Sequence, residues 1–244
     1  MQKGPPLEVK VWGDFACFTR PEMKAERVSY SVMTPSSARG VLEAIFWKPE
    51  FSWQVREIHV LNRIRHFSIL RNEVNDKAVV STAMGWVEKD GGYFADDEKN
   101  RAQRHTLALR DVAYIIKADV VLKRHATEPD AKYRDQFRRH VSKGKCHHTP
   151  YLGCREFTAF FGEPDGSEKP IDLSDDLGLM LFDQIIMEEI GGNILYKKHG
   201  ANGGKVVIGK AAPKFFSARL DNGVLKVPPE LYQRRASDAF AEIK

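Results

Sequence analysis

Hydrophobic and polar positions alternate at the start of the chain: Leu7, Val9 and Val11 are separated by Glu8 and Lys10. That period of two predicts a half-buried strand. A helix follows from Pro35. Thr34 offers an N-cap hydroxyl, and Pro35 takes the first helical position, where its missing N–H costs nothing. Ala38, Val41, Leu42, Ile45 and Phe46 then recur at helical spacing, and Lys48-Pro49 stops the run. Phe51 to Leu61, rich in aromatic and β-branched residues, predicts a second strand, and Arg63 to Glu73 continues extended. The longest alternation runs from Thr106 to Lys123, with Val112, Tyr114, Ile116, Ala118, Val120 and Leu122 on one face. A second helix is predicted from Ala131 to Lys143, striped by Tyr133, Phe137 and Val141 and followed by Gly144. Tyr151 to Phe161 returns to strand.

Residues 75–104 have weak periodicity and a turn signal at Asp90-Gly91-Gly92, which predicts an inserted hairpin with a charged tip. The order β-α-β-β-α-β gives an α+β class. It comprises a ferredoxin-like (RRM-type) domain with an inserted β-hairpin, residues 1–165, and a small C-terminal antiparallel β domain, residues 166–244. The boundary falls in an acidic, turn-rich stretch from Gly162 to Asp176. Beyond it, short β-like runs are expected at 177–187, 193–199, 205–209, 215–220 and 224–227, with Asp221-Asn222-Gly223 as a hairpin turn. The tail Gln233 to Lys244 reads as a helix or a frayed end. This fold hosts many activities and assigns none.

Composition adds two constraints. Three cysteines, Cys17, Cys146 and Cys154, are too few and too odd for a disulfide framework. No apolar run reaches 18 residues and the N-terminus lacks an apolar signal core, so no membrane partner and a cytoplasmic location are expected. Charge is unevenly spread. Arg101 to His148 carries a net +7, whereas Glu163 to Ile190 carries −8. A basic face for a polyanion, with acids held apart from it, is one reading; mutual neutralisation in the fold is the other. Arg20, Lys24, Arg27 and Arg39 lie near Phe18, Tyr30 and Trp47; cations interleaved with rings suit a single-stranded or hairpin nucleic acid, and a solvated basic loop beside ordinary core aromatics is the other reading.

The segments WGDFACFTRPE, RVSYSV, TPSSARGVLEAIFWKP and PYLGCREF resemble the type I-C (d subtype) branch of the Cas-five family of the RAMP superfamily. The resemblance runs from about Val9 to Phe161 and more weakly to the C-terminus. It implies a CRISPR-associated endoribonuclease that needs no metal or cofactor and binds the repeat hairpin of precursor CRISPR RNA. The implied cut leaves 2′,3′-cyclic phosphate and 5′-hydroxyl ends, and the protein stays as a subunit of the type I-C surveillance complex. Duplex DNA is a further candidate partner. The alternative is a scaffold that holds the 5′ end of CRISPR RNA without cutting it.

Metal-free RNA cleavage needs a base for the 2′-OH, an acid for the leaving 5′-oxygen and a cation at the phosphate. The resemblance places a tyrosine at the end of the first helix and a Lys-His or Lys-Tyr pair at the start of the helix before PYLGCREF. Here Phe46 stands at the tyrosine position, and the pair is Lys132-Tyr133. Phe46 offers a ring that stacks but moves no proton. Lys132 is either the electrostatic stabiliser or the base, against its reading as an exposed lysine at a helix start. Tyr133 is either proton donor or core ring. His140, His147 and His148 are further acid–base candidates. Arg138, Arg139, Lys143, Lys145 and Trp47 join Arg20, Lys24, Arg27 and Arg39 as candidate RNA contacts. Cys146-His147-His148 with Cys154 fits no zinc spacing, and no metal is expected. Gly203-Gly204-Lys205 lacks the context of a phosphate loop, and His199 carries no motif.

Overall fold

The computed structural model describes residues 4–23, 25–75, 77, 79–94, 98, 100–200 and 203–232. Strand β1 (Leu7–Ala16) buries Leu7, Val9 and Val11, the alternate residues predicted to face inward. The crossover holds the two-residue β2 (Arg27–Val28) and leads to α1 (Pro35–Ile45). Thr34 caps α1, its hydroxyl accepting from the Ser37 N–H at 3.3 Å, and Pro35 begins the first turn. Helix α1 ends because Phe46 turns extended, its own N–H still bonded to the Leu42 carbonyl.

Next come β3 (Phe51–Val60), β4 (His66–Val74), the short α2 (Val80–Gly85) and the 22-residue β5 (Arg101–Leu122). Helix α3 (Asp130–Ser142) follows, then β6 (Phe160–Gly162), β7 (Asp175–Glu188), β8 (Ile194–Gly200), β9 (Gly203–Asp221) and β10 (Val224–Lys226). These strands form one mostly antiparallel sheet in the order β6-β1-β5-β3-β10-β9-β7. β5 is its spine. Residues 101–109 pair with β4, and residues 114–122 pair with β3. Asp111, at φ 52, marks the break between the two halves; Asp tolerates the left-handed region better than most residues. Helices α1 and α3 pack on one face, where Trp53 meets Phe137 at 4.8 Å.

β10 pairs with both β3 and β9, so β7–β9 continue the sheet of the first part. β7 and β8 lie end to end along β9, since Glu188 and Ile194 both oppose Gly209. The hairpin turn expected at Asp221-Asn222-Gly223 forms, with Asn222 at φ 46 and Gly223 at φ 75.

Three expectations need correction. The inserted hairpin pairs His66–Val74 with Arg101–Leu109, so its arms flank 75–104 and most of that stretch is the connection, which contains α2. The arms follow the alternating β-branched and aromatic residues, which the connection lacks. Tyr151 to Phe161 is not one strand: only its last two residues enter β6, and the rest is a tight loop. Gly153 sits there at φ +85, where a Cβ would strike the Cys17 carbonyl. The runs at 205–209 and 215–220 merge into the single strand β9. The tail 233–244 lies outside the described residues.

Candidate active site

The end of α1 gathers Phe46 and the three histidine candidates, while Lys132 lies about two turns from His140, at the start of α3. The Ala44 carbonyl accepts from the His147 N–H at 2.8 Å and from the His148 N–H at 3.3 Å. His140, on α3, places Nδ1 3.0 Å from the Ile45 carbonyl. Thus the loop after α3 closes over the open C-terminal carbonyls of α1, which no residue of α1 can satisfy. The His140 ring stands edge-on to Phe46 with centroids 5.2 Å apart, and the rings of His147 and His148 lie 5.6 Å apart in the exposed loop.

Phe46 itself is 3% exposed and stacks on Phe51 at 5.6 Å. It is a core ring, which corrects its reading as a base-stacking surface: Trp53 also donates to its carbonyl at 3.0 Å and fixes the backbone there. Trp47, the next residue, is 39% exposed. Tyr133 continues the ring stack, 5.3 Å from Phe51, and is 5% exposed. Desolvation pushes its phenol up, with Glu50 and Glu128 adding to the rise and Lys132 opposing it. The Tyr133 ring is thus part of the core stack.

Lys132 projects from the first turn of α3 and pairs with Glu128 at 2.7 Å, with 55% of its side chain exposed. It lines a shallow depression of about 510 Å³ with Asp135, Arg138 and Arg139. Arg138 pairs with Asp135 at 2.9 Å. Arg139, Lys143 and Lys145 are exposed and have no carboxylate within ion-pair distance among the described residues. Helix α3 therefore presents a cationic strip from Lys132 to Lys145. Its ion pairs, like that of Lys117 with Glu8, do not reach the acidic segment 163–190. Those acids have other partners: Glu168 pairs with Lys10, Asp183 with Arg39 and Glu188 with Lys198.

The crossover cations do not form one set. Arg39 is held by Asp183 through two bonds of 2.8 and 2.9 Å and by Glu43 at 2.8 Å. Burial opposes its charge, and Asp183, then Glu43, more than offset that. All three of its guanidinium nitrogens contact carboxylates, so it ties α1 to β7 and its charge is already compensated. Arg20 lies over the Tyr30 ring at 4.5 Å. Arg27 contacts Glu156 at 3.3 Å and the Cys154 sulfur at 3.4 Å. Lys24 lies outside the described residues. The three cysteines are free. A hydrogen bond from Cys17 holds the Cys154 thiol below its ordinary range, aided by Arg27, and the same contact pushes Cys17 up. Among the described residues no three metal-ligating side chains converge.

Two features go beyond the expectations drawn from the sequence. Glu128 neutralises Lys132 from four residues away, and β8 brings His199 to Trp47, rings 5.4 Å apart. The first had an i,i+4 spacing that could have revealed it. The second depends on a contact between residues far apart in the chain and left no local mark.

An antiparallel sheet with two helices on one face, and a basic helix beside a histidine-bearing loop, define an α+β protein with a cationic surface along α3. A family model described as CRISPR-associated protein (Cas_Cas5) matches residues 6–228, and the chain belongs to that family. It is 51% identical over 227 residues to the CRISPR pre-crRNA endoribonuclease Cas5d of Thermus thermophilus, covering 93% of each chain. It is 40% identical over 235 residues to the protein of that name from Mannheimia succiniciproducens, covering 91% of this chain and 95% of the relative. Among solved structures, a CRISPR-associated protein superposes with a TM-score of 0.61 at 21% identity, over 96% of this chain and 97% of its own. A functionally uncharacterized protein from Streptococcus mutans gives 0.61 at 19%, over 96% and 98%. These two likenesses concern the fold.

Proposed function

We propose that the chain is a metal-independent endoribonuclease that binds the repeat hairpin of precursor CRISPR RNA and cuts it. The observation that carries this is 51% identity along 93% of a pre-crRNA endoribonuclease. The central strand order β6-β1-β5-β3 with helices on one face supports a ferredoxin-like reading of residues 1–165, with 166–244 as a β appendage. RNA lies lengthwise on α3. Arg138, Arg139, Lys143 and Lys145 hold its phosphates, and Arg20 and Arg27 lie off this strip as outlying contacts. Lys132 leaves Glu128 for the scissile phosphate and offsets the charge that develops as the 2′-oxygen attacks. The proton carriers come from the imidazoles of His140, His147 and His148, one accepting from the 2′-OH and another donating to the leaving 5′-oxygen. The 2′-oxygen–phosphorus bond forms as the 5′-oxygen bond breaks, which leaves a 2′,3′-cyclic phosphate. After cleavage the protein stays with its RNA in a surveillance complex.

Phe46 favours the rival reading, a non-cutting scaffold for the 5′ end of CRISPR RNA. Incubation with repeat RNA in EDTA separates the two. Cleavage at one site with a cyclic phosphate end is expected. Tight binding with intact RNA would establish the scaffold instead. Competition by duplex DNA at physiological salt measures whether the basic strip also takes DNA.

A further inference from the structure

Cys17 and Cys154, 137 positions apart in the chain, meet beneath the loop 151–157. Cys17 follows directly on β1 and is wholly buried, whereas Cys154 is 8% exposed. The loop is moulded to Cys17. Its Leu152 carbonyl accepts from the Cys17 N–H at 3.0 Å, and Gly153 lies against the Cys17 carbonyl. The Cys154 thiol is 3.7 Å from that same carbonyl, and Ala108 of β5, with Phe67 and Phe157, packs against the pair. The surroundings are not an apolar seal. Arg27 brings one guanidinium nitrogen to 3.4 Å from the Cys154 sulfur and 3.3 Å from Glu156. The Arg27 and Glu156 side chains are 31% and 44% exposed, so the Cys154 sulfur is one contact from solvent. Thr106, on the same face of β5 as Ala108, and Arg71, which also grips Glu156, each leave one buried polar atom without a hydrogen-bond partner. The hydrogen bond from Cys17 lowers the Cys154 thiol, with Arg27 adding to it against burial and Glu156, and the same bond raises Cys17. One sulfur is thus the readier thiolate and the other keeps its proton.

We propose that Cys17 and Cys154 form a peroxide-reactive dithiol, a modification site that hydrogen peroxide converts to a disulfide. The Cys154 thiolate attacks one peroxide oxygen. The sulfur–oxygen bond forms as the oxygen–oxygen bond breaks, and the hydroxide released takes up a proton to leave as water. Cys154 is then a sulfenic acid. Cys17, already in contact, attacks its sulfur; the sulfur–sulfur bond forms, the sulfur–oxygen bond breaks, and a second water carries off the Cys17 proton. Two electrons pass in all from the two thiols to the peroxide. A small oxidant suits so nearly buried a sulfur, and a partner thiol at hand favours the disulfide over further oxidation of Cys154. The new bond fastens the loop 151–157 to the end of β1, just after the segment that carries His147 and His148. No RNA takes part, so the dithiol stands apart from the proposed nuclease.

The test is peptide mapping of the full chain after exposure to equimolar hydrogen peroxide at neutral pH, with remaining thiols alkylated and no reductant added. Free thiols should fall from three to one, with Cys146 still alkylated. A single linked peptide pair, Cys17 with Cys154, should appear and then vanish on treatment with dithiothreitol. The oxidised protein should melt about 5–10 °C higher, because the bond closes a long loop of the unfolded chain. Cys17→Ser should hold Cys154 at the sulfenic acid, which a cyclic 1,3-diketone labels, and Cys154→Ser should leave Cys17 unoxidised. In wild type, survival of both thiols, a bond from either to Cys146, or sulfinic acid at Cys154 without a bond overturns the proposal. The wild-type map decides the matter even where a variant fails to fold.

Discussion

Single side chains decide which residues are free to act. Arg39 looked like a phosphate ligand in the sequence, yet Asp183 and Glu43 already compensate its charge. Replacing it with Ala leaves a partly buried Asp183 without its partner. Because about a third of the arginine side chain is exposed, water screens part of the loss, and about 1–3 kcal/mol is expected in chemical denaturation. Asp183→Asn in the same background should then cost little more, which a double-mutant cycle reads directly. Phe46→Ala should cost about 3–5 kcal/mol, because the ring packs between Phe51 and His140. Retained stability in that variant would show that the ring is not a core element. The buried stripe of Tyr133, Phe137 and Val141 was legible from spacing alone. The pairing of Arg39 was not, since its partner lies 144 positions away and nothing local to it marks Asp183 as inward-facing.

At the scale of elements, patterning carried most of the fold. Both helices begin within a residue of their predicted starts, because Thr34-Pro35 and Pro129-Asp130 encode them locally. β1 and the first half of β3 follow a period of two, whereas β5 buries both faces from Val112 to Ile116 and leaves Leu122 exposed. The loop 151–157 broke the rule, since its residues favour extension while Gly153 allows a turn at φ +85. Gly153→Ala is expected to cost about 2–3 kcal/mol, because the added Cβ meets the Cys17 carbonyl and neither backbone can yield. A melting temperature equal to wild type would refute that. β9 was expected as two runs, 205–209 and 215–220, although the chain runs straight through, with Pro213 opposite Gln184. The catalytic candidates suffered similarly. Their positions on α1 and α3 were readable, but the closure of the His147–His148 loop over Ala44 follows from packing of one helix end on another.

For the whole molecule, the charge pattern survives folding. The acids of 163–190 bind Lys10, Arg39 and Lys198, and the strip on α3 keeps Arg139, Lys143 and Lys145 exposed. RNA affinity should therefore fall steeply as salt rises. Stability should fall in alkali. Burial raises Tyr114 and Tyr232 above the ordinary 10.0, despite backbone contacts at Met33 and Val55 that lower them. A raised folded pKa favours the folded state below pH 10; above it the unfolded chain ionises first, and that advantage is lost. Denaturation followed by tyrosinate absorbance should show stability declining from about pH 10 upward. A flat profile there would mean that these phenols are open to solvent. The account as a whole turns on an amine at the start of α3 that stabilises the phosphate being cut. The most direct measurement is the single-turnover rate of repeat cleavage by Lys132→Ala, with hairpin affinity followed in parallel. A rate at least about tenfold slower, or about 1.4 kcal/mol of barrier, with affinity nearly unchanged, is predicted. Cleavage at the wild-type rate would contradict it.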